Sequence, residues 1–146
     1  MSEFTAILKY AISLEQQAID FYEQLSEKAP RPEIKEVLKE VVDQERSHKK
    51  KLENLFHKNE IPTKKKLYPD LKLSDYVVAV DENKPDLNYE DSLVIGMKRE
   101  QISADLYSQL SKDVSDIDAK QLFQFLADEE RNHKHYFESK FDNLLE

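Results

Sequence analysis

The chain has 146 residues, enough for one domain with a real core, and 36% of them are charged, in the alternating signs found on exposed faces of long helices. A net charge of −8 argues against nucleic acid or an acidic membrane surface as the main partner, and one glycine with five prolines is too few for a turn-rich β protein. The lack of cysteine excludes disulfides, Cys-ligated zinc and any Cys-ligated iron–sulfur or rubredoxin-type centre in this chain.

No basic-then-apolar leader follows Met1, and no stretch approaches the roughly 20 apolar residues of a membrane span. The expectation is a cytoplasmic protein with no membrane partner. Apolar residues from Phe4 to Leu25 (Phe4, Ile7, Leu8, Ala11, Leu14, Ala18, Phe21, Tyr22, Leu25) recur with a helical period, and Ser2 or Thr5 is the expected cap. Ala29-Pro30-Arg31-Pro32 ends that helix. A second helix is predicted from about Glu33 to His57, with the stripe Ile34, Leu38, Val41, Glu45, His48, Leu52, Leu55. Its alternating steps of four and three are those of a bundle seam, and Glu45 and His48 occupy two consecutive seam positions.

Residues 58–88 read as a long crossover, with a solvated basic run at Lys64–Lys66, breaks at Pro62, Pro69 and Pro85, and a short ordered piece somewhere in Leu71–Val80. A connection this long predicts that the second and third helices run the same way. Asn88, with Asp91 three residues on, marks the start of a third helix running to about Lys112. Its stripe is Leu93, Gly96, Met97, Glu100, Ala104, Tyr107 and Leu110. After a turn at Asp113–Asp116, a fourth helix runs from about Ile117 to Leu144. It carries Ala119, Phe123, Leu126, Glu130, His133, Phe137, Phe141 and Leu144 on one face.

The two halves repeat. Glu15 precedes Glu45-Arg46-Ser47-His48 by the same 30 residues that separate Glu100 from Glu130-Arg131-Asn132-His133, and the second set lies 85 residues after the first. At that offset Tyr22 meets Tyr107, Asp20 meets Asp105 and Gln24-Leu25-Ser26 meets Gln109-Leu110-Ser111. The prediction is an all-α four-helix bundle of two similar hairpins (about 2–57 and 89–144) forming one domain over 1–146.

Four carboxylates in one core would repel one another, and each loses several kcal/mol on leaving water. Two divalent cations balance four negative charges with two neutral imidazoles beside them, and oxygen and nitrogen donors without thiolate suit iron or manganese. The metal ligands are therefore Glu15, Glu45, His48, Glu100, Glu130 and His133. Glu45 and Glu130 are assigned as bridges, Glu15 with His48 completes one metal, and Glu100 with His133 completes the other. Tyr22 and Tyr107 lie two turns after the lone Glu residues and are placed to bond a ligand carboxylate. Gln44 and Glu129, each four residues before a His, are expected to orient the imidazole of the other hairpin through its second nitrogen. Ala11 and Gly96 leave room one turn before the lone Glu residues. His57 and His135 fall outside the pattern and read as surface residues. Asp43–Arg46 and Asp128–Arg131 read as outward ion pairs. Nothing selects Tyr10, Tyr68, Tyr76 or Tyr89 for electron relay over packing.

The doubled Glu…Glu-x-x-His pattern, the Tyr after each lone Glu and the long middle connection resemble the rubrerythrin-like branch of the ferritin-like di-iron superfamily over nearly the whole chain. The resemblance implies a ferritin-like fold and two iron ions (or manganese) that reduce hydrogen peroxide or dioxygen, with ferrous oxidation as a related activity. Rubrerythrins carry a further Glu three residues after the third-helix ligand, where this chain has Ser103, and usually a four-Cys rubredoxin domain, which it lacks. Electrons would then come from a separate donor protein or from substrate iron. The alternative reading is a protein that sequesters or delivers iron without efficient turnover. A homodimer is the candidate assembly. The chain stops straight after its fourth helix, without the fifth helix of a ferritin subunit, so a 24-subunit cage is not expected.

Overall fold

The computed structural model describes residues 3–58, 73–77 and 87–144. Four helices carry the fold: α1 (Glu3–Lys28), α2 (Pro32–Lys58), α3 (Tyr89–Asp113) and α4 (Ile117–Asn143). Pro30 and Pro32 separate α1 from α2. Pro32 opens α2, where the proline ring supplies a ready φ and its missing N–H would have had no partner anyway. Asn88 caps α3, its side chain accepting from the Asp91 amide at 2.7 Å. Asp116 caps α4 in the same way, accepting from the Ala119 amide at 2.9 Å. Thr5 lies inside α1 and does not form its boundary; Ser2 lies outside the described residues.

The apolar core forms two layers. One gathers the start of α1 (Phe4 to Leu14), the end of α2 (Leu52, Leu55), the end of α3 (Leu106 to Val114) and the start of α4 (Ala119 to Ala127). The other gathers Ala18 to Leu25 of α1, Leu38 to Val42 of α2, Tyr89 to Ile95 of α3 and Phe137 of α4. Membership of these layers fixes the directions: α2 and α3 run the same way, antiparallel to α1 and α4. Burial of each Leu, Ile or Phe contributes about 1.5–3 kcal/mol. Leu144 was predicted on the buried face, but it is 41% exposed because α4 ends one residue earlier, beyond the reach of the core.

Of the crossover, Leu73–Tyr76 forms a single 3-10 turn. It packs on the first layer, and the Tyr10 hydroxyl donates to the Tyr76 carbonyl at 2.6 Å. The predicted Lys64–Lys66 run, Tyr68, the three crossover prolines and the rest of Leu71–Val80 except Val77 lie outside the described residues. Among the described residues no helix is long and apolar enough to cross a membrane.

Candidate metal centre

Between the two apolar layers sits a polar one. Each helix contributes where its seam crosses mid-bundle: Glu15 from α1, Glu45 and His48 from α2, Glu100 from α3, Glu130 and His133 from α4, all at most 4% exposed. All six sequence-predicted ligand positions are thus brought to one place. They form two overlapping groups, Glu15, Glu45, His48, Glu130 and Glu45, Glu100, Glu130, His133, with donor atoms within 4.8 Å of one another in each. Glu45 and Glu130 belong to both groups.

The imidazoles face inward through Nδ1. His48 Nδ1 lies 3.2 Å from Glu130, 3.6 Å from Glu45 and 3.8 Å from Glu15. His133 Nδ1 lies 2.9 Å from Glu45 and 3.4 Å from both Glu100 and Glu130. The outer nitrogens are held across the hairpins: His48 Nε2 by a Glu129 oxygen at 2.9 Å, His133 Nε2 by the Gln44 amide oxygen at 2.5 Å. Both partners are acceptors, so each Nε2 carries the hydrogen, and in the neutral ring the Nδ1 lone pair is left pointing into the cluster. The tyrosines also cross. Tyr22 donates to Glu100 at 2.9 Å and Tyr107 to Glu15 at 2.6 Å.

Electrostatics and hydrogen bonding describe a cluster that must hold either protons or cations. Burial pushes the Glu15, Glu45 and Glu130 carboxyls well above the usual carboxylate range, and neighbouring carboxylates push them further: Glu45 on Glu15, Glu130 and Glu100 on Glu45, Glu100 and Glu15 on Glu130. Burial alone would lower His133, but Glu100, Glu130 and Glu45 outweigh it and raise its pKa. Both directions mean that the cation-free cluster holds protons. Burial also raises Tyr22 and Tyr107, keeping them as neutral donors. Both His Nδ1 atoms, both Glu45 oxygens and one oxygen each of Glu15, Glu100 and Glu130 are buried without a hydrogen-bond partner. An unpartnered buried acceptor costs about 1–3 kcal/mol, and more when charged. Oxygen and imidazole donors that converge and lack protein partners fit a pair of divalent ions.

The surroundings include residues that sequence periodicity passed over. Phe125, 44% exposed on α4, packs edge-on against His48 at 6.2 Å, with the Lys51 ammonium 4.4 Å over its ring. Its position on α4 does not mark this contact to α2. Arg99 is buried beside Glu100, its guanidinium 5.5 Å from the Phe21 ring. The 85-residue offset could have flagged it, since Arg99 falls on Leu14. Ser103 is buried and Ala18 is its counterpart in the first half. A Cβ on Gly96 would lie 3.1 Å from the Phe137 ring, which explains the small residue there, and Ala11 is fully buried. His57 and His135 are exposed and away from the cluster, and the two Asp–Arg pairs lie on the surface.

The family model described as Rubrerythrin matches residues 6–140. Among solved structures the chain is similar to a hypothetical protein from Pyrococcus furiosus, at 24% identity and a TM-score of 0.73, over 97% of this chain and 89% of that one. It is also similar to a protein from Thermotoga maritima described provisionally as a ferritin-like diiron-carboxylate protein, at 23% identity and a TM-score of 0.74, over 97% and 95%. At these identities the likeness is one of fold. No curated protein matches the sequence.

Proposed function

The chain belongs to the rubrerythrin family, and from that premise we propose that it is a non-haem di-iron oxidoreductase that reduces hydrogen peroxide or dioxygen with electrons from a separate donor protein. The observation that carries this reading is the pair of four-residue groups sharing Glu45 and Glu130. Glu15, Glu45, His48 and Glu130 would hold one iron ion and Glu45, Glu100, Glu130 and His133 the other, with Glu45 and Glu130 common to both. When bound, a ferrous pair supplies two electrons to the oxidant.

The residues of the chain do the rest. Four carboxylates offset the charge of two divalent ions, so the loaded layer is neutral inside a bundle closed above and below by apolar side chains. The Tyr107 and Tyr22 hydroxyls hold Glu15 and Glu100 in place, and Glu129 and Gln44 fix the imidazole rings in the tautomer that presents Nδ1. Ser103, in the position where rubrerythrins carry a further Glu, offers a hydroxyl and no added charge. That keeps the ligand set at the six residues named.

The test is metal content and the optical spectrum of anaerobically prepared protein before and after peroxide, with a reductant present. The expected result is two irons per chain and many equivalents of peroxide consumed. Consumption that stops after one equivalent supports the iron-carrying alternative. In Glu45→Ala, which removes a ligand common to both groups, stoichiometric binding of two ions is expected to disappear. Retention of both would show the ligand assignment to be wrong.

A further inference from the structure

The two histidines correspond in sequence and differ in what holds them. Behind His48 stands the Glu129 carboxylate; behind His133 stands the Gln44 amide. Gln44 precedes Glu45 as Glu129 precedes Glu130, so the repeat sets a neutral group and an acidic one at the same place in its two halves. The rest of the donor set repeats in kind: a lone Glu held by a Tyr from the other hairpin, two shared carboxylates and an inward Nδ1. The Tyr22 hydroxyl also lies 3.4 Å from the Gly96 carbonyl, but the outer acceptor is the one difference in charge within the donor set and its hydrogen bonds.

An imidazole that gives its outer N–H to a carboxylate is a stronger donor through its inner nitrogen than one bonded to an amide. The ion-pair partner that Glu129 shows among the described residues is His48 itself, at 2.9 Å. Lys51 sits instead over the Phe125 ring. Phe125 packs edge-on against His48. The position equivalent to Phe125 in the other half is Glu40, an exposed carboxylate whose charge acts on Tyr136 and is screened by solvent.

We propose that the centre is not symmetric: the half built on Glu15 and His48 takes up metal first and more tightly, because Glu129 charges the hydrogen bond behind His48. The proposal rests on the two-metal reading above. It makes the two ions electronically unlike, with the more electron-rich one beside His48.

The test is an anaerobic titration of chelator-stripped protein with cobalt(II), followed by visible absorption and calorimetry. Two steps by themselves decide nothing, since the first ion repels the second whichever half it enters. The variants decide. Glu129→Gln is expected to weaken the first step by about 10–100-fold and leave the second nearly unchanged. Gln44→Glu is expected to tighten the second step and leave the first nearly unchanged. Glu129→Gln acting on the second step alone, or on neither, overturns the ordering, as does Gln44→Glu tightening the first. Circular dichroism checks that each variant folds, and Gln44→Glu decides alone if Glu129→Gln does not. Uptake of fewer than two ions by the unaltered protein would sink the two-metal reading and this ordering with it. Uptake of two ions with no step-specific effect sinks only the ordering.

Discussion

Tyr107 shows how much one hydroxyl carries at this centre. It donates at 2.6 Å to an oxygen of Glu15, and its ring stacks on Phe123 at 6.3 Å. Tyr107→Phe keeps the ring and removes the donor, so unfolding of the metal-loaded protein in denaturant is expected to show a loss of about 1–3 kcal/mol. An unchanged midpoint would mean that Glu15 does not depend on the hydroxyl. Glu45 behaves in the opposite way. Its carboxyl is fully buried and pushed up by burial and by Glu130 and Glu100. Glu45→Gln is therefore expected to stabilise the chelator-treated protein while abolishing uptake of two ions. A variant less stable than its parent without metal would show that the carboxyl is not strained in the apo state.

At the scale of elements, helix boundaries followed from local chemistry that a sequence displays. Pro30 and Pro32 break α1 from α2, and Asn88 with Asp91 marks the start of α3. The sequence marks Asp116 only as part of a turn, because Asp113 and Asp116 both suit that turn and only the backbone selects the cap. Its bond to the Ala119 amide has a measurable consequence. Asp116→Ala is expected to lower stability by about 1 kcal/mol in denaturant unfolding and to leave metal stoichiometry unchanged. An unchanged midpoint would remove the cap from the account. The site was legible because its residues violate their own pattern: Glu and His stand on seams where Leu would pack. The pairing of Gln44 and Glu129 with the opposite histidines was legible for a related reason, since a spacing of four puts each acceptor on the ligand-bearing face of its helix, where it meets the ring of the other hairpin. Phe125 and Arg99 were not. Their burial or contact is set by neighbouring helices, and periodicity along one helix carries no record of that.

For the whole molecule, the linkage between protons and folding has a definite sign. In the folded chain Glu15, Glu45, Glu130 and His133 all have raised pKa values, so the metal-free native state binds more protons than the unfolded chain. The carboxyl contribution turns unfavourable as pH rises above the ordinary carboxyl value of 4.5. The imidazole contribution, fully present below the ordinary value of 6.5, is lost as pH climbs past it. Metal displaces those protons and binds better as pH rises. Chelator-treated protein is thus expected to be less stable near pH 8 than near pH 5, and metal-loaded protein to gain over it most near pH 8. Thermal unfolding at the two values checks this, with Glu45→Gln expected to flatten the slope of the chelator-treated form. An equal slope in parent and variant would place the pH dependence elsewhere. The cross-bracing has an engineering side as well. Each half of the chain grips the other half's ring and acid, so neither is a finished unit alone. Made as separate peptides, each half would leave its lone Glu and its histidine without the tyrosine and the acceptor that hold them.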